Sequence, residues 1–192
     1  REEPFAEAAA IVARFAVDRG LTETSIGGGL GGPYVEGETA PTITDWSKSI
    51  HDGVRTAGFE GRIWAEPGRS IVAAAAVTIY RVGTIKEIPG VRTYVAVDGG
   101  MSDNPRPVLY GSGYEAFLPR AVTAERTRRV RVVGKHCESG DVLVPDALVP
   151  EDIAVGDLLA TPVTGAYGHS MGSNYNKVLR PPVVFVEDGR AR

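Results

Sequence analysis

Apolar residues recur at helical spacing at Phe5, Ala8, Val12, Phe15 and Ala16, and Gly20 stands where a left-handed cap would stop such a helix. The run Leu21 to Ile26 then reads as a short strand that ends in Gly27-Gly28-Gly29-Leu30-Gly31-Gly32. Past this loop, Thr42 and Asp45 have the spacing of a capping box, and Ile43, Trp46, Ile50 and Val54 hold one apolar face as far as Gly58. Arg62 to Ala65 predicts a second strand, ending at Glu66-Pro67-Gly68-Arg69. The order helix, strand, helix, strand predicts two parallel neighbouring strands joined by a right-handed crossover. In parallel α/β architecture ligands bind beyond the carboxyl ends of the strands, so the glycine loop and the Glu-Pro-Gly-Arg turn are expected to face one pocket.

Two regions of different texture meet near residue 70. From about residue 75 short β-branched runs are punctuated by Gly, Pro and Asp, and the pattern contains no long helix. Val77 to Val82, Thr93 to Val97, Arg128 to Val133, Leu158 to Val163 and Val183 to Val186 are the candidate strands, read as an antiparallel barrel or sandwich. Two helix–strand units cannot close a barrel that normally needs about 250 residues. The expected organisation is therefore the end of an α/β domain over 1–70 and an all-β domain over 71–192.

Composition narrows the function classes. The 192 residues carry a net charge of −3, which gives no electrostatic reason to expect nucleic acid or a membrane surface as partner. No apolar run approaches a membrane span, and the opening residues lack the charged and apolar regions of a signal peptide, so a cytosolic location is expected. The single cysteine, Cys137, rules out an internal disulfide and multi-cysteine zinc sites within this chain.

Several stretches carry candidate chemistry. Gly27, Gly29 and Gly32 satisfy G-x-G-x-x-G, but the next helix opens about ten residues later, which disfavours a dinucleotide site. Either a flexible turn or an anion cradle built from backbone N–H groups remains. Glu66 and Arg69 flank Pro-Gly; this is a surface turn with an ion pair, or a carboxylate and guanidinium suited to an anionic ligand with a protonatable ring nitrogen. Asp98, Asp103, Arg106 and Tyr110 share a long Gly- and Pro-rich loop. The EF-hand ligand series is missing, so the aspartates read as turn-formers, while Arg106, between two prolines, is held stiffly enough to meet a carboxylate.

Cys137 lies between His136 and Glu138 at the end of a strand, neighbours that favour a reactive thiol over a buried filler. The His-x-Glu of zinc deaminases is matched there without its Pro-Cys-x-x-Cys partner. The arginines of 126–131 read as a partly solvated strand face. Gly168-His169-Ser170-Met171-Gly172 fits the nucleophile elbow G-x-S-x-G, yet no histidine follows and Gly172-Ser173-Asn174 opens a helix poorly, so Ser170 is read as a bystander.

Taken together and in this order, GGGLG, EPGRS, VDGGMSDNPRPVLYG, GKHCESGD and TGAYGHSMGSNYN resemble the diaminopimelate decarboxylase family, over about residues 20–190. The resemblance implies a fold-type III pyridoxal 5'-phosphate enzyme: a (β/α)8 barrel followed by a Greek-key β-barrel, working as a homodimer with shared active sites. It implies decarboxylation of meso-2,6-diaminopimelate to L-lysine and carbon dioxide. Ornithine, arginine and carboxynorspermidine decarboxylases share the implied fold, a non-catalytic homologue is a further alternative, and CESGD favours the diaminopimelate branch.

By the same resemblance Gly27, Gly28 and Gly29 hold the cofactor phosphate, Glu66 faces the pyridine nitrogen, and Arg69 approaches the phosphate or a substrate carboxylate. Arg106 and Tyr110 hold polar groups of the substrate, and Tyr167 lies against cofactor and substrate. Cys137 is the implied proton donor, reaching the partner subunit's cofactor, and Glu138 and Ser139 recognise the distal amino acid end. Lys48, Lys86, Lys135 and Lys177 do not sit in the family's lysine motif, so the chain is expected to lack the Schiff-base lysine and to be inactive alone.

Overall fold

The computed structural model describes residues 3–192, which form two compact units, one ending at Ala74 and the other spanning Ala75–Arg192. In the first, helix α1 (Glu3–Asp18) leads into strand β1 (Glu23–Ser25), helix α2 (Ile43–Thr56), strand β2 (Arg62–Trp64) and the single turn α3 (Arg69–Val72). The two strands are parallel, with Glu23, Thr24 and Ser25 opposite Arg62, Ile63 and Trp64. The Thr42 hydroxyl accepts the Asp45 N–H at 3.1 Å and donates to the Asp45 carboxylate at 2.6 Å, which fixes where α2 begins.

The core of this unit packs Ala9, Ala13 and Ala16 of α1 against Trp46, Ile50 and Val54 of α2, with Leu30 and Phe59. The buried face of α1 is thus its alanine stripe, and the predicted face is only partly right: Phe15 is 55% exposed and Ala8 is also exposed. Small side chains let the two helices approach closely, and the larger Phe15 is excluded from that seam. Ile43, predicted to join the α2 face, is exposed as well.

The second unit is built on a five-stranded sheet of order β6-β5-β4-β3-β7, made of β3 (Val77–Ile88), β4 (Arg92–Val97), β5 (Arg128–Val133), β6 (Val142–Val149) and β7 (Leu158–Pro162). Between β4 and β5 lies the one-turn helix α4 (Arg106–Tyr110). The sheet is mixed rather than antiparallel throughout, because β4 and β5 run parallel, Thr93 to Ala96 facing Val130 to Val133. The long connection through α4 carries the chain back to the end where β4 began.

Strand β3 serves two partners, pairing through 77–81 with β7 and through 82–88 with β4, and its register shifts between Val82 and Thr84. Such a bulge bends a strand, which curls the sheet. Strand β6 was not among the expected elements because Pro145 interrupts it; it lies at the sheet edge, where a missing N–H costs no ladder bond. The Pro145 carbonyl instead accepts from Arg92 at 3.0 Å and Arg131 at 3.2 Å. On β5 the alternation is as read: Val130 and Val132 are buried, while Arg129 is exposed and Arg128 and Arg131 are half-buried.

After β7 come the single turn α5 (Gly168–Met171) and a terminal hairpin of β8 (Val186–Glu187) and β9 (Arg190–Ala191). The strand expected over Val183–Val186 is therefore shorter and displaced toward the C-terminus. Among the described residues no helix is long and apolar enough to cross a membrane.

Candidate functional site

In the first unit, the ends of the parallel strands bring the predicted residues together. The Glu66 N–H donates to the Gly27 carbonyl at 2.8 Å, stitching the glycine loop to the Glu-Pro-Gly-Arg turn. A Cβ at Gly28 would run into the Glu66 carbonyl, and Gly27 and Gly29 have φ of +74° and +96°, so this loop is closed to ordinary side chains. Ser25, at the end of β1, donates to Glu66 Oε1 and accepts the Gly27 N–H at 3.2 Å. The Arg69 guanidinium lies 5.3 Å from the centre of the Tyr34 ring, and its Nε–H is buried with no hydrogen-bond partner among the described residues. A side-chain-free loop bound to a carboxylate-bearing turn, with an unpartnered guanidinium N–H on that same turn, suits a ligand with an anionic end and a ring N–H to offer.

The second unit assembles two further groups. Arg106 is buried, 5.1 Å from the Tyr110 ring centre and 6.0 Å from that of Tyr167, and its Nη2 donates to Ser112 Oγ at 3.5 Å. Tyr167 has φ of +64°, a conformation that costs a non-glycine residue on the order of 1–3 kcal/mol and marks sites where geometry is held for use. Ser170 lies exposed within α5 itself, with no strand running into it, so the elbow geometry is absent.

Cys137, Glu138 and Ser139 are exposed on the loop between β5 and β6, which speaks against a buried, inert thiol. Beneath them lies a polar knot that no local sequence pattern marks. Asp141, buried, accepts Met101 N–H at 2.6 Å and His136 N–H at 2.8 Å, filling space that a side chain at Gly100 or Gly134 would occupy. His136 Nε2 and Ser102 Oγ, both buried, are 2.9 Å apart. Asp103 closes a turn, accepting Gly100 N–H at 2.9 Å, and burial pushes its carboxyl above its ordinary range, whereas Asp98 reaches across to β3 and accepts Arg81 N–H at 2.8 Å. Tyr175 is equally unmarked in the sequence: its hydroxyl donates to Glu138 Oε1, a bond that raises the phenol above its usual value.

Against known proteins, the model of the pyridoxal-dependent decarboxylase C-terminal sheet domain matches residues 15–165. The chain belongs to this family. Within the decarboxylases, it is 49% identical over 176 residues to a diaminopimelate decarboxylase from Synechocystis, covering 89% of this chain and 37% of that protein. It is 45% identical over 197 residues to one from Staphylococcus aureus, covering 99% and 47%. The crystal structure of the Helicobacter pylori diaminopimelate decarboxylase complexed with L-lysine matches with a TM-score of 0.85 and 34% identity, covering all of this chain and 47% of that one. The chain thus spans less than half the length of these relatives. A decarboxylase of this family implies a pyridoxal cofactor, and the glycine loop, the Arg69 Nε–H and the Glu66 carboxylate fit its phosphate and ring nitrogen.

Proposed function

We propose that this chain is the C-terminal part of a diaminopimelate decarboxylase, converting meso-2,6-diaminopimelate to L-lysine and carbon dioxide. The observation that carries the reading is the closed glycine loop bound to Glu66 across the ends of the parallel strands, on a chain whose relatives are named for this activity. Residues 1–70 would complete a (β/α)8 barrel and residues 71–192 a Greek-key β-barrel domain. The protein would act in the cytoplasm as a homodimer, with Cys137 reaching the partner subunit's site.

The loop of Gly27, Gly28 and Gly29 would hold the cofactor phosphate, the N–H groups of Gly28 and Gly29 turned to it while that of Gly27 is held by Ser25, with Arg69 completing its charge balance or meeting a substrate carboxylate. Glu66 would accept a hydrogen bond from the ring N–H and keep that nitrogen protonated. When bound, pyridoxal 5'-phosphate supplies a ring that takes up the electrons released as the carboxylate departs. Arg106, held stiff and flanked by Tyr110 and Tyr167, would orient the substrate's polar groups, and Tyr167 would exclude water from one side. The Cys137 thiol would give its proton to the carbon that lost carbon dioxide and recover one from solvent. Glu138 and Ser139 would hold the distal ammonium and carboxylate, the end that the reaction leaves unchanged.

The test is the substrate preference of the full-length protein reconstituted with pyridoxal 5'-phosphate. A kcat/KM for meso-diaminopimelate roughly 10³-fold or more above those for ornithine and arginine is expected, since neither competitor carries the second amino acid end. Comparable turnover of ornithine or arginine would contradict it.

A further inference from the structure

Three segments distant in sequence converge under the Cys137 loop. The Ser173 N–H donates to the Ser102 carbonyl at 2.9 Å, which anchors the 173–177 turn beside the buried Ser102–His136 pair. Within that turn Lys177 N–H bonds the Asn174 carbonyl at 2.8 Å and Asn174 Nδ2 bonds the Val178 carbonyl at 3.0 Å. Its geometry sets the Tyr175 ring against His136, centroids 5.3 Å apart and planes tilted by 44°. The phenol O–H then donates to one oxygen of Glu138, a side chain that is otherwise exposed on its loop.

We infer that Tyr175 is a positioning residue that sets affinity for the substrate's remote end by fixing the Glu138 carboxylate. The inference rests on the reading of Glu138 given above. A phenol has a single O–H to donate, so it satisfies one carboxylate oxygen and leaves the other to accept an ammonium N–H. An exposed glutamate otherwise spreads over several side-chain wells, and apparent affinity falls with the fraction in the competent one. Because the remote end is unchanged by the reaction, Tyr175 contributes alike to substrate, transition state and product. That is uniform binding, visible in KM and not in kcat.

The experiment compares full-length holoenzyme with Tyr175→Phe, Glu138→Gln and the double variant, measuring steady-state kinetics on meso-diaminopimelate and calorimetric Kd for L-lysine, which retains the remote end. Phenylalanine keeps the ring against His136, so a merely structural role predicts no change. The inference predicts KM and Kd raised about 5–10-fold in Tyr175→Phe, with kcat within about twofold, and a double variant no weaker than Glu138→Gln alone. Unchanged KM and Kd in Tyr175→Phe beside a weakened Glu138→Gln would overturn the positioning role and leave Glu138 in place. Unchanged binding in both would overturn the reading of Glu138 and the inference with it.

Discussion

The hydroxyl of Ser25 joins two motifs: it donates to the carboxylate of Glu66, 41 residues away in sequence, and accepts the N–H of Gly27. Register explains the meeting, since Ser25 stands opposite Trp64 in the parallel pair and Glu66 is two residues further on. Each strand end thereby fixes the other, and the proposed partner of the ring nitrogen is oriented from behind.

Ser25→Ala removes that donor while leaving the strand pairing intact. Hydrogen bonds to charged groups contribute about 1.5–3 kcal/mol, and partial exposure here favours the low end, so kcat/KM of the holoenzyme should fall about tenfold. Ser25→Thr should restore most of the loss. Steady-state kinetics of the two variants decide it, and wild-type activity in Ser25→Ala would show that Glu66 needs no such support.

How much of this was legible in the sequence follows from what each feature depends on. Gly27–Gly29 and Glu66–Arg69 announce themselves because glycine and proline mark strand ends locally, and the parallel pairing follows from helix–strand alternation. The direction of β5 depends on the path of a long connection, which periodicity does not encode, and Pro145 disguises an edge strand. Ser25, Ser102 and Tyr175 act through partners 41, 34 and 37 residues away, so nothing in their own surroundings marks them.

Asp141 is the acceptor on which the Cys137 loop hangs. Asp141→Ala leaves the amides of Met101 and His136 without it, and an unsatisfied buried amide costs about 1–3 kcal/mol, so a loss of about 3 kcal/mol is expected. Chemical denaturation should show the midpoint lowered, with Asp141→Asn intermediate because an amide side chain still offers one acceptor. A midpoint within error of wild type for Asp141→Ala would mean the loop is held elsewhere.

Asp157 gives a pH signature. Arg120 grips its carboxylate at 2.8 and 2.9 Å, the Ala154 N–H adds a third bond, and the Arg120 hydrogen bonds hold the carboxyl below its ordinary range. A depressed native pKa stabilises the fold above the ordinary carboxylate range, and this is lost as pH falls through the native value. Arg120→Ala should therefore melt lower than wild type near neutrality, the gap closing in acid. A gap that stays constant from neutral to strongly acidic pH would contradict the assignment.

If the chain serves the proposed decarboxylation, one exchangeable proton replaces the departing carboxylate. Mass spectrometry of the product formed by the full-length holoenzyme from meso-diaminopimelate in deuterium oxide reads that replacement. Lysine carrying a single deuterium at the carbon that lost carbon dioxide is the predicted result. No lysine, or lysine without that deuterium, would contradict it.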